Sequence, residues 1–176
     1  MTSKLKTDVL ETVSGSGTIA LTNQLSGMTS ASLPSGSVLQ VIETTTPTGT
    51  ALVATSSTTY VTTGLTKTIT PSATTSNIKI DVSFMADVDT TGASVYFVIK
   101  RGSTSLGSGS KDGNTGIALV SNGRLLTGLS FSYLDNPSTT SATTYTLYMK
   151  TTDSGYTVRY RPDQLMSTLI LTEIKG

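Results

Sequence analysis

The chain has 176 residues, enough for one domain with or without an appendage, and only 13% are charged: 12 basic against 11 acidic, a formal net charge of +1. So even a balance gives no electrostatic basis for nucleic acid or an anionic membrane as a partner, since both need clustered Lys and Arg. Cys and His are absent, which removes disulfides, a thiolate nucleophile, Cys-ligated zinc, and the commonest general base and metal ligand.

In chain order, Met1 to Lys6 lacks the apolar core of a Sec-type signal. No apolar run approaches the roughly 20 residues of a membrane helix, so no membrane insertion is expected. Lys4 to Val13 alternates loosely, Ser14-Gly15-Ser16-Gly17 breaks the pattern, and Thr18-Ile19-Ala20-Leu21 is a second short apolar piece. Neither piece can bury itself between such turn formers. Residues 1–35 therefore read as an extended lead: either a disordered tail, or an anchor whose Val9, Leu10, Ile19 and Leu21 gain their burial from another chain.

The rest, 36–176, reads as strands. Thr and Ser together supply 61 residues, a composition that favours strands and turns over helices. Gly36–Thr44 is the first convincing strand, with apolar residues on both faces. Thr50–Thr55, Thr59–Thr63 and Lys67–Thr70 are short ones. Asn77–Val88 is the clearest period-2 segment, placing Ile78, Ile80, Val82, Phe84, Ala86 and Val88 on one face. Val95–Ile99 follows, then a Gly-rich loop, 102–116. Ile117–Val120 and Leu125–Leu134 are predicted to pair as a hairpin through Asn122-Gly123. Thr143–Thr152, Tyr156–Arg161 and Ser167–Lys175 complete nine or ten strands.

This spacing predicts an all-β domain, an antiparallel β-sandwich of jelly-roll type. Its first and last strands are apolar on both faces, although a sandwich strand normally has one face in water. Side by side, they would present one apolar patch, the mark of an interface. Val38, Leu39, Val41, Ile42, Leu169, Ile170, Leu171 and Ile174 are thus the candidate interface residues of a homotrimer. The alternative is coverage by loops of the same chain.

Tyr156, Arg159, Tyr160 and Arg161 form the one local cluster of aromatics and charge. They are candidate contacts for a glycan or a phosphate-bearing surface polymer. The structural alternative packs the tyrosines and leaves the arginines solvated or paired. Asp87 and Asp89 beside a turn supply too few of the six to eight oxygens of a calcium site. No metal and no cofactor is expected.

The lead (Lys6-Thr7-Asp8-Val9-Leu10-Glu11-Thr12, Gly15-Ser16-Gly17-Thr18-Ile19, Leu33-Pro34-Ser35-Gly36-Ser37-Val38-Leu39-Gln40-Val41) resembles fibre proteins of tailed bacteriophages, those of marine and cyanobacterial phages above all. The body is similar to their C-terminal domains in Ile69-Thr70-Pro71, Ser76-Asn77-Ile78-Lys79-Ile80, Tyr133-Leu134-Asp135-Asn136-Pro137, Thr144-Tyr145-Thr146-Leu147 and Ser167-Thr168-Leu169-Ile170-Leu171-Thr172-Glu173-Ile174. The resemblance implies a virion structural protein assembled in the host cytoplasm. It would be a short trimeric tail fibre, held through its N-terminus by other virion proteins (a tail or baseplate adaptor, or the capsid), with its β-domain directed at a host-surface glycan.

No repeat or heptad separates lead from body, so a short fibre can sit on the tail or on the head. The alternative is a capsid-decorating or architectural head fibre that binds no receptor. A polysaccharide depolymerase is the enzymatic alternative. Asp81, Asp135 and Asp153 are its candidate carboxylates, but the sequence pairs no two of them across a groove, and no enzymatic activity is expected.

Overall fold

The computed structural model describes residues 33–46, 51–107, 113–121, 123–161 and 165–176. The chain divides into two units, Met1–Leu33 and Pro34–Gly176, and the architecture below is that of the second. The anchor candidates Val9, Leu10, Ile19 and Leu21 lie outside the described residues.

Eleven strands form among the described residues: β1 Val38–Thr46, β2 Val53–Thr55, β3 Val61–Ile69, β4 Asn77–Val88, β5 Ser94–Arg101, β6 Thr104–Ser105, β7 Thr115–Ala118, β8 Leu125–Asp135, β9 Thr143–Thr151, β10 Val158–Tyr160 and β11 Ser167–Ile174. All pairings are antiparallel, and no helix occurs among the described residues. One edge of β4 carries β8 along its whole length. The other carries β11 opposite residues 77–83 and β10 opposite 86–88. β1 lies against β11 and β2 against β10, so β1/β2 and β10/β11 are each one interrupted strand. The first sheet is then β1/β2, β10/β11, β4, β8, and the second is β3, β9, β5, with β6 and β7 sharing the far edge of β5.

Counting each interrupted pair, and β6 with β7, as a single strand leaves eight. Their orders are 1-8-3-6 facing 2-7-4-5, the double Greek key of a jelly roll. The inner faces supply the core: Ile78, Ile80, Val82, Phe84, Leu169 and Leu171 from one sheet, and Leu65, Val95, Phe97, Ile99, Leu147 and Met149 from the other. Phe84 and Phe97 meet across the sheets with ring centroids 4.5 Å apart. Burying each such side chain stabilises the fold by about 1.5–3 kcal/mol.

Two sequence expectations are corrected. Residues 59–63 and 67–70 do not end separately but join in β3. Gly64, at φ +80°, and a register shift between Thr62 and Thr66 let the strand bulge without stopping. Nor do Ile117–Val120 and Leu125–Leu134 form a hairpin: β7 pairs with β5 in one sheet and β8 with β4 in the other. The turn at Gly123 carries the chain between sheets, because the apolar stripe of each arm faces the shared core from opposite sides.

Candidate functional site

Three surfaces follow from this topology. The first is the outer face where the first and last strands pair. Ile42 stands opposite Leu171, and Glu43 opposite Ile170. Alternation then sends Leu169 and Leu171 into the core, with Ile42 packed against it, and turns Val38, Val41, Ile170 and Ile174 outward. Val38 is 56% and Val41 59% exposed, while Ile170, Ile174 and Leu39 are half-buried. The eight candidate interface residues thus divide between core and outer face, and the outward four lie on adjacent strands. Beside them Asp81, Ser83, Ser130, Ser132, Thr168 and Ile170 line a shallow groove of about 210 Å³, left by the small serines of β4 and β8. Burial raises the Asp81 carboxyl, but hydrogen bonds from Lys79 (2.8 Å) and Ser132 (2.5 Å) and the Lys79 charge outweigh it, leaving the group below its usual range.

The second is the charged end of the same face. Arg159 stands directly across from Asp87. Its Nη1 lies 2.6 Å from Asp89 and 3.4 Å from Asp87, while Arg124 Nε donates to Asp87 at 2.9 Å. Asp87 is fully buried, and its Oδ1 has no hydrogen-bond partner. The hydrogen bond from Arg159 is the main reason the Asp89 carboxyl lies below its usual range. Of the four candidate receptor contacts, Arg159 and Tyr156 are half-buried. Tyr160 stacks in the core, 5.7 Å from Phe84, and burial raises its phenol. Arg161 is 1% exposed; its amide N–H donates to the Met85 carbonyl, and its φ of +59° takes it off the strand path. The four do not share one surface.

The third consists of carboxylates at the ends of the sandwich. Asp135 receives the Tyr145 hydroxyl at 2.7 Å and Arg101 Nη1 at 2.9 and 3.0 Å. Glu173, buried, accepts from Ser72, Ser76 and Gln40. Asp153 accepts the Gly155 amide in a turn. Asp81, Asp135 and Asp153 therefore occupy an outer face, a strand end and a turn, each with its own donors. Among the described residues no group of three or more His, Cys, Asp or Glu is placed to hold a metal ion, and no helix is long and apolar enough to cross a membrane.

Sequence reasoning missed Arg124 and the burial of Asp87. The available signal was Asp87 itself, an acid on the polar face of a strand otherwise committed to the core.

No protein-family profile matches the chain, and no curated protein does. Among solved structures it is similar to a chain in the structure of infectious bursal disease virus, Gx strain, at a TM-score of 0.43 and 12% identity, covering 81% of this chain and 37% of that one. It is also similar to a chain of the T13 IBDV viral particle, at 0.40 and 14%, covering 78% and 36%. This chain thus spans little more than a third of each. The jelly roll rests on the strand pairing above, and neither likeness carries the functional argument.

Proposed function

We propose that the protein is a structural component of a phage virion: a short trimeric tail fibre, attached through residues 1–35, whose β-sandwich makes reversible contact with the host surface. The observation that supports this reading is the pairing of β1 with β11. It sets Val38, Val41, Ile170 and Ile174 on one outer face at the point where the lead enters the domain. Apolar residues gathered on one outer sheet face, two of them exposed and two half-buried, mark an interface. Packing three copies about this face removes them from water and bundles three leads for a single attachment point. Trimerisation also multiplies weak host contacts, because linked sites bind with an avidity orders of magnitude above each one alone.

Two measurements test the reading. Light scattering on the purified protein gives a trimer mass, and a clean monomer at micromolar concentration removes the interface. Antibody labelling of intact particles finds the protein on the virion, and the same antibody blocks adsorption to host cells. Labelled particles that adsorb normally point to the architectural head fibre instead.

A further inference from the structure

The two sheets differ in charge. The strands of the β1–β11–β4–β8 sheet carry Glu43, Asp81, Asp87, Asp135 and Glu173 against Lys79 and Arg159. Those of the opposite sheet carry Lys67, Lys100, Arg101 and Lys150 and no acid at all. Of these, Arg101 is held by Asp135. Lys100 and Lys150 stand on the outer face, where Lys150 pairs across with Tyr96 and Lys100 with Thr146.

Both ammonium groups converge on one ring. Lys150 Nζ lies 4.4 Å and Lys100 Nζ 5.4 Å from the centre of Tyr60, and Lys100 Nζ also lies 4.7 Å from the centre of Tyr148. Neither has a carboxylate partner among the described residues. Ring faces hold cations modestly at such half-exposed sites, and the two like charges repel each other. An anion set between them relieves that repulsion.

Beside the cluster, on the same face, the hydroxyls of Thr66 and Thr146 meet at 2.8 Å and those of Thr68 and Thr144 at 2.7 Å. Each pair keeps acceptor capacity beyond its mutual hydrogen bond. Aromatic rings, hydroxyl rows and two ammonium groups on one sheet face suit a chain of sugar rings bearing carboxylates. A nucleic acid is a poorer fit, because its affinity depends on many phosphate contacts, and the cluster offers two ammonium groups on a chain of net charge +1.

From this we infer that the outer face of the β3–β9–β5 sheet binds an acidic polysaccharide, with Lys100 and Lys150 on its carboxylates and Tyr60 and Tyr148 beside its rings. The inference names the ligand class of the attachment reading and takes its biological setting from that reading.

The test is titration calorimetry of the full chain with a polyuronate, a neutral dextran and a DNA duplex. Polyuronate binds at low salt and is weakened as salt screens the contacts, and dextran does not bind. The variant Lys100→Gln/Lys150→Gln keeps its thermal unfolding midpoint and loses about tenfold or more in polyuronate affinity, as charge-assisted hydrogen bonds disappear. Absence of polyuronate binding, equal binding of dextran, tighter binding of DNA, or an unchanged affinity in the variant overturns the inference. Such a failure, with the protein still on the virion and its antibody still blocking adsorption, leaves the attachment reading standing. A protein absent from the virion sinks that reading whatever the calorimetry gives.

Discussion

Ser72 gives both of its donors to one oxygen of Glu173: its amide nitrogen lies 2.7 Å and its hydroxyl 2.6 Å from Oε1. Ser76 adds a third donor to that oxygen, and Gln40 takes the other at 2.6 Å. This buried carboxylate therefore ties the 70–76 connection and β1 to the last strand. Burial by itself would raise its pKa, but the donors outweigh it, so the folded value lies below the usual one. A lowered folded value means that the stabilisation is complete above the unfolded glutamate pKa, about 4.3. It is lost as the pH falls through the folded value. Urea midpoints from pH 7 to pH 3 should fall in that window. Glu173→Gln, which keeps a neutral acceptor for the serines but sets an amide N–H against Gln40 Nε2, should cost about 1–3 kcal/mol at pH 7 and flatten the acid limb. An acid limb as steep as in the parent chain would remove Glu173 as its source.

The Asp87 cluster predicts an asymmetry. Asp87→Asn leaves two arginines that reach solvent, with side chains 47% and 28% exposed. Removing both by Arg124→Ala/Arg159→Ala leaves a fully buried carboxylate with neither guanidinium. The double variant should lose about 3–5 kcal/mol, the cost typical of stranding a buried charge, and the single variant clearly less. Denaturant unfolding of the two decides it. Equal losses would mean that the arginines act through packing alone.

Two glycines separate backbone strain from steric conflict. Gly64 and Gly92 sit at φ +80° and +90°, but a Cβ at Gly64 meets nothing within 4 Å, whereas one at Gly92 lies 2.8 Å from the Tyr156 hydroxyl. Gly64→Ala should cost about 1 kcal/mol, and Gly92→Ala should cost more. Adding Tyr156→Phe to Gly92→Ala should recover the excess and leave the backbone part. If the double variant is no more stable than Gly92→Ala, the hydroxyl is not the obstacle.

On the trimer reading, Val41→Asp places a carboxylate in the middle of the apolar outer face while leaving the core untouched. Its mass by light scattering should drop from trimer to monomer with the β-sheet circular dichroism unchanged. A persistent trimer would move the interface elsewhere.

What the sequence disclosed depended on how local each cause is. The sequence predicts Asn77–Val88 with its observed bounds, because its alternation over twelve residues leaves one reading: Ile78, Ile80, Val82, Phe84, Ala86 and Val88 are all buried. The two-sided apolarity of the first and last strands marks both as covered, but their pairing comes from the structure, since apolarity does not name the neighbour. So does the route of the chain after Val120, since a turn signal at Gly123 says that the chain reverses, not which sheet receives the next arm. The alternation around Arg161 reads as a surface strand, because its positive φ leaves no local mark. Arg124 meets Asp87 from 37 positions away, beyond the reach of any periodicity. The Lys100, Lys150 and Tyr60 cluster is likewise assembled by three strands or their approaches, and no short motif contains it.

The interruptions in the two outer strands sit at one level. β1 ends at Thr46 opposite Ser167, and β2 resumes with Val53 opposite Tyr160. Beside both, β4 continues unbroken and fixes the register above and below. The register of β1 and β2 is thus set outward from β4, through β11 and β10. β4 is the ruler of that half of the sheet: a slip in its register would displace β10, β11 and the strands beyond them together.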